Sequence, residues 1–207
     1  AEKNAAAIRA TVATASRFVC DSEFSRQDLI RSFGVDPGRA TTVPLGPGSD
    51  GTPPEGGLDE ASRAKFGLPG RFFFAISTLE PRKNFPRLIE AFARFRERTP
   101  DVRLAIAGGK GWGADAVHEA IRKHGLTESV RILGYVSDGE LAALYGACEA
   151  VVCPSLSEGF GLPVLEAMRA GAPVVSSDRG SLPEVGGDAV RYFDPEDVGA
   201  IETALRQ

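Results

Sequence analysis

The chain has 207 residues, of which 43% are apolar and 25% charged, with a formal net charge of −4. That suffices for one large domain, or one domain with part of another, built around a buried core. The acidic balance argues against a nucleic-acid-binding surface, and no run approaches the roughly 20 apolar residues of a membrane span.

From the first residue the pattern predicts a helix over 2–15, a strand at RFVCDS (17–22), a helix opened by Ser25 with Asp28 (25–33), and a strand at TTVPLG (41–46). Two helices and two strands are too few for an independent α/β core. Residues 1–46 are therefore expected to be the tail end of an amino-terminal domain, in a chain that opens without Met and reads as a piece of something longer. Residues 47–58 follow as a Gly/Pro-rich linker.

Residues 59–207 carry the regular pattern. RFFFAIS (71–77) is short, apolar and aromatic-rich and reads as a buried strand; residues 84–99 space Leu88, Ile89, Phe92 and Phe95 as a helix does. Strands follow at 102–109, 130–134, 149–155, 172–178 and 190–195. They alternate with helices at 114–125, 137–148, 161–171, a short one from Ser181, and 196–207. Ser137 with Glu140 and Ser181 with Glu184 have capping-box spacing, and Asn84 is placed as the N-cap of its helix. Short strands alternating with longer helices predict an α/β, doubly wound parallel sheet of Rossmann-like type.

Three cysteines, Cys20, Cys148 and Cys153, fit no C-x2-C spacing. They read as reduced thiols of a cytoplasmic protein, and no start resembles a signal peptide.

In such a sheet, ligands sit at the carboxyl ends of strands beside helix N-termini. PSLSEGFGLPVLEAMRAG (154–171) leaves a strand, passes Glu158 and two glycines, and enters a helix with Pro163 in its first turn. Exposed backbone N–H groups and the helix dipole make an anion seat there, and Glu158 and Glu166 flank it. A carboxylate can accept hydrogen bonds from neighbouring sugar hydroxyls, so the element fits a nucleotide sugar. For Glu158 the helix dipole alone is a sufficient alternative reason. Glu166, in an otherwise apolar helix, needs either a ligand or a buried partner. STLEPRKNF (77–85) brings Arg82 and Lys83 to the same sheet edge as a second anion site, or as solvated surface charges.

With these motifs in view, EPRKN (80–84), the long stretch GYVSDGELAALYGACEAVVCPSLSEGFGLPVLEAMRAGAPVV (134–175) and GSLPEVGGDAV (180–190) resemble the nucleotide-sugar-dependent glycosyltransferases of family 4. The resemblance covers about residues 71–207. It implies the carboxy-terminal, donor-binding half of a GT-B fold, and SRFVCDSEFSRQDLI with VPLG is similar to the end of that fold's amino-terminal domain.

By this resemblance Arg82 and Lys83 would hold the donor diphosphate and Glu158 would contact the transferred sugar, these three being the catalytic set. Gly159, Phe160, Gly161 and Leu162 would present backbone groups to sugar and phosphate, Glu166 would bind the ribose, and Tyr135 and Val136 would border the base. The implied reaction retains anomeric configuration, with no metal and no cofactor beyond the nucleotide-sugar substrate. AGGKGWG (107–113) resembles a loop of bacterial mannosyl- and related hexosyltransferases, which implies GDP-mannose. The acceptor, a glycan or a lipid-linked sugar, would be bound mainly by the missing domain, so the isolated piece is expected to be inactive. Ser77 stands where the family commonly has glycine.

Within the sequence no D-x-D occurs, and His118 and His124 lie at helical spacing as solvated or partly packed residues rather than ligands. A dinucleotide oxidoreductase would need G-x-G-x-x-G after its first strand, where STLEPRKN stands instead, and GGKG lacks P-loop spacing. A non-catalytic nucleotide-sugar-binding module and a UDP-sugar epimerase-like GT-B enzyme stand as alternatives. The basic residues of RFRER (94–98) read as a wet helix face, or as a peripheral contact with the inner face of a membrane, against which the overall acidity argues.

Overall fold

The computed structural model describes residues 2–48 and 52–207. The chain divides into two compact units, Ala1–Gly46 and Pro47–Gln207.

In the first unit α1 spans Glu2–Thr14, β1 Phe18–Cys20, α2 Glu23–Phe33 and β2 Ala40–Thr42. β1 and β2 pair in parallel, Phe18 opposite Ala40. α2 opens two residues before the predicted Ser25, because Ser22 is its N-cap: its hydroxyl accepts from the Ser25 N–H at 3.0 Å. The αL residue Gly34 closes it.

In the second unit the helices are α3 (Glu60–Phe66), α4 (Phe85–Arg96), α5 (Ala114–Lys123), α6 (Asp138–Ala147), α7 (Leu162–Arg169), α8 (Leu182–Gly186) and α9 (Val198–Leu205). The strands are β3 (Phe72–Ile76), β4 (Arg103–Ala107), β5 (Val130–Gly134), β6 (Ala150–Cys153), β7 (Val174–Ser177) and β8 (Arg191–Phe193). They form one parallel sheet in the order β5-β4-β3-β6-β7-β8, the doubly wound arrangement that the alternation predicts.

The apolar run of β3 is continuous because both faces of the sheet are covered. Phe73 and Ala75 point into one core layer with Phe92 and Phe95 of α4, Val117 of α5 and Ile201 of α9. Phe72 and Phe74 point into the opposite layer with Leu144 and Tyr145 of α6, Val164 of α7 and Leu182 of α8. Edge-to-face ring contacts fix both: Phe73 against Phe95 with centroids 5.2 Å apart, and Phe74 against Tyr145 at 5.5 Å.

Helix α3 was not predicted. Its signals are Asp59, which caps it by accepting from the Ser62 N–H at 2.8 Å, and the αL residue Gly67. Phe66 and Leu68, at its end, are buried in the second core layer. The Ser137–Glu140 capping box forms as predicted at the start of α6, and Lys65 and Ser137 hold the Glu140 carboxyl down to about 2.

Two predicted caps do not form. Ser181 has helical backbone angles and makes no cap bond to α8, and Asn84 makes none to α4. Both side chains are instead committed to neighbouring loops. All three cysteines are free thiols, and burial pushes Cys148 up to about 12 and Cys153 up to about 11. Among the described residues no helix is long and apolar enough to cross a membrane.

Candidate functional site

The sheet order places the site. From β3 the chain winds outward through β4 to β5, then returns to the other side of β3 as β6 and continues to β7 and β8. The direction of winding reverses between β3 and β6, the point at which such folds bind ligands, and the loops leaving these two strands meet there. The loop after β3 carries Arg82 and Lys83 in a 3₁₀ turn, Pro81–Lys83; the loop after β6 carries Ser155 and Glu158.

The two loops are joined through one carboxylate. Arg82 Nη1 donates to Glu158 Oε2 at 2.7 Å, and Lys83 Nζ donates to Glu158 Oε1 at 2.6 Å. Ser155 Oγ donates to that same Oε1 at 2.6 Å. Backbone contacts extend the seam: the Leu156 N–H donates to the Arg82 carbonyl at 2.9 Å, and Arg82 Nη1 also reaches the Ser157 carbonyl at 2.7 Å.

Glu158 is buried at 9% exposure. Burial, the largest single influence on its carboxyl, pushes it up; the hydrogen bonds from Lys83, Ser155 and Arg82 and the Lys83 charge together outweigh burial. The carboxyl lies below its ordinary range and is ionised at neutral pH.

The Glu158 loop is fastened from β7's side. The Ser181 hydroxyl, wholly buried, shares its one proton between the carbonyls of Phe160 at 2.7 Å and Glu158 at 3.0 Å, and the Ser181 N–H reaches the Glu158 carbonyl at 3.2 Å. Gly180 has φ +66°, and a Cβ there would lie 2.7 Å from the Glu158 backbone, so only glycine allows this close approach. The segment Gly159, Phe160, Gly161 then leads into α7, whose first residues are Leu162 and Pro163; Gly161 takes φ +102°. The N-terminus of α7 thus opens beside the cation pair, as an anion seat requires.

Glu166 stands apart from this cluster, in the second turn of α7. Its partner is the buried Tyr145 of α6, whose hydroxyl donates to Glu166 Oε2 at 3.0 Å. Burial, then the adjacent Glu166 charge, pushes the Tyr145 phenol far above its ordinary range, so it remains a donor. A Cβ on Gly48 would lie 3.6 Å from Glu166 Oε1, which puts the backbone at residue 48 beside that oxygen.

After β5, Tyr135 is 88% exposed and Val136 is buried among Leu144 and its neighbours. Of the predicted residues, then, Arg82, Lys83 and Glu158 share one ion cluster, Gly159–Leu162 adjoin it, and Glu166 has a separate partner. Ser155, Ser181 and Tyr145 complete the arrangement; sequence reasoning assigned Ser155 and Tyr145 no role and Ser181 only that of a helix cap.

A cavity of about 680 Å³ lies elsewhere. Arg71, Glu149, Val174 and Arg191, which line it, stand at the amino ends of β3, β6, β7 and β8, the opposite edge of the sheet. Its polar groups, among them the Arg71–Glu149 ion pair and Arg191, lie at the amino edge of the sheet, away from the strand carboxyl ends where such folds bind ligands.

Residues 59–207 match the family model described as "Glycosyl transferases group 1". The chain belongs to the group 1 glycosyltransferases. It is 40% identical to the O-antigen chain mannosyltransferase B of Escherichia coli over 192 residues, 90% of this chain and 49% of that protein. It is 37% identical to the serotype-specific mannosyltransferase WbdA of Escherichia coli over 153 residues, 72% of this chain and 18% of that one. The chain thus spans about half the length of the first relative and less than a fifth of the second.

Among solved structures, HepE of Anabaena in complex with UDP and glucose superposes with a TM-score of 0.78 at 24% identity, covering 98% of this chain and 57% of that one. Its structural neighbours are GT-B glycosyltransferases, and the sheet is that of the carboxy-terminal half of such a fold.

Proposed function

We propose that this chain is the donor-binding part of a retaining hexosyltransferase that moves mannose from GDP-mannose to a glycan or lipid-linked acceptor. The observation that supports it most is the convergence of Arg82, Lys83 and Glu158 at the reversal point of the sheet, beside the N-terminus of α7. The relatives named above are mannosyltransferases, which favours mannose and its usual guanosine carrier.

The geometry suits departure of a nucleoside diphosphate. In transfer, the bond from the anomeric carbon to the β-phosphate oxygen breaks and its electron pair stays on the phosphate. The acceptor oxygen bonds that carbon, and its proton leaves with the departing phosphate. The growing charge needs donors already in place. Lys83 is fixed by Glu158; Arg82 is 44% exposed and has N–H groups to spare.

Glu158 Oε1 accepts two hydrogen bonds and Oε2 one, which leaves Oε2 a lone pair for a sugar hydroxyl. Glu166, steadied by Tyr145, suits the ribose diol, and the exposed Tyr135 ring suits the edge of the base. The acceptor belongs with the part of the protein outside this chain.

Calorimetric titration with GDP, UDP and ADP tests the donor: the chain is expected to bind GDP best, and Arg82→Ala to weaken that binding. Equal or absent binding of all three overturns the donor reading. Turnover of labelled nucleotide sugars by the longer protein separates an enzyme from a non-catalytic binding module, and the anomer of its product tests retention.

A further inference from the structure

Asn84 follows Lys83 directly and holds the backbone at φ 58°, ψ 26°. Among the described residues it is the one non-glycine residue with positive φ. Such a conformation is unfavourable for most L-residues and best tolerated by asparagine among them, so its surroundings hold it there. Glycine would take the same angles more cheaply. The reason for asparagine must therefore lie in its side chain.

That side chain is buried, 4% exposed, and its hydrogen-bonding groups are engaged. Nδ2 donates to the Pro154 carbonyl at 3.1 Å and to the Pro195 carbonyl at 2.8 Å; Oδ1 accepts from Arg87 Nη1 at 3.1 Å. Two carbonyl acceptors on one side and an arginine on the other permit only one orientation of the amide. Pro154 follows β6 and opens the Glu158 loop; Pro195 follows β8. One carboxamide thus fastens the loop after β3 to the loops after β6 and β8.

We infer that Asn84 is a positioning residue for the Arg82–Lys83 pair: its left-handed backbone and its two carbonyl anchors hold both cations where a diphosphate meets them. The turn Pro81–Lys83 ends on Asn84, and α4 starts at the next residue. A change of angle at residue 84 therefore swings the cations relative to the fixed helix. The inference rests on the nucleotide-sugar reading above. It adds a residue that touches no ligand and acts through two that do.

The test compares affinity for a nucleoside diphosphate with affinity for its monophosphate, using whichever of GDP, UDP and ADP the chain binds best. Asn84→Gly keeps the backbone angles and removes the anchors. Asn84→Asp keeps the shape, tolerates the angles and turns an acceptor toward both carbonyls. In both, the preference for diphosphate over monophosphate is expected to fall about 10-fold, since small displacements of charged groups cost that much. In Arg82→Ala/Asn84→Gly the preference is expected to fall no further than in Arg82→Ala alone.

A merely structural role would lower the melting temperature, or weaken both nucleotides equally, and leave the preference intact; that result overturns the inference. A wild-type chain with no preference for diphosphate would fail at the site reading itself, and the positioning role would fall with it.

Discussion

Lys83→Met removes one charge from the carboxylate that joins the two loops. Glu158 and Lys83 side chains are only 11% and 12% exposed, so little solvent screens the pair. Breaking a buried pair by removing one partner typically costs about 3–5 kcal/mol. Here Arg82 and Ser155 remain on Glu158, and the expected loss at pH 7 is about 2–3 kcal/mol.

The pH dependence sharpens the test. In the wild type the folded carboxyl lies below its unfolded value. Its contribution is therefore complete at neutral pH and is lost only as pH falls below the ordinary carboxylate range, through the folded value. In Lys83→Met the strongest downward influence on the carboxyl is gone while burial remains, so its folded value rises relative to the wild type. Ionised Glu158 then contributes less stability at pH 7, and less is lost as pH falls. As pH falls through the variant's folded value toward that of the wild type, the stability gap is expected to narrow. Urea unfolding of both proteins, followed by far-ultraviolet circular dichroism at several pH values, measures it. A gap that stays constant or widens toward acid would refute neutralisation of Glu158 by Lys83.

Ser181→Ala should destabilise the second unit by about 1–3 kcal/mol, because the carbonyls of Glu158 and Phe160 lose a wholly buried donor; urea unfolding reads this. Tyr145→Phe removes the one hydroxyl held to Glu166 Oε2. In calorimetry it should weaken GDP by about 5–10-fold and 2′-deoxy-GDP by less, and equal weakening would detach Tyr145 from the ribose. Gly111→Ala would set a Cβ 2.5 Å from the Leu79 carbonyl oxygen, in the loop that leads to Arg82. It is expected to cost about 1–3 kcal/mol by overpacking and to weaken diphosphate binding as well; unfolding and calorimetry read the two effects. Trp112 is the sole tryptophan of the sequence and is 80% exposed, so iodide should quench the intrinsic fluorescence nearly completely.

The parallel sheet, and the strand ends on which the candidate site residues stand, were legible in the sequence for a physical reason. The FFFAI run of β3 lies between two covered faces, so it is apolar throughout, and helices of 3.6 periodicity follow it. Once the winding is known, Arg82, Lys83 and Glu158 must lie at strand carboxyl ends. The side-chain caps were not legible. Ser181 and Asn84 have the composition and spacing of N-caps, and local pattern assigns them that role. Their actual acceptors are 21 and 23 residues away for Ser181, and 70 and 111 away for Asn84. Only the assembled sheet brings those carbonyls within reach. Tyr145 was hidden for the same reason: it lies 21 residues before Glu166 and reads as one more core aromatic of α6. The requirement it meets, a buried partner for Glu166, was legible even though its identity was not.

The same contacts that shape the site also close the sheet. β3 and β6 pair through Phe73 with Ala150 and Phe74 with Val151. Beyond the strand ends the seam is continued by Arg82, Lys83 and Asn84 on one loop against Pro154, Leu156, Ser157 and Glu158 on the other. Groups that would hold a diphosphate are therefore structural groups as well. A dianion arriving beside α7 would compete with Glu158 for Arg82, the more exposed cation, while Lys83 kept the carboxylate neutralised. Such an exchange would keep each charge paired throughout, and a site built on a buried carboxylate would then admit an anionic ligand without opening the fold.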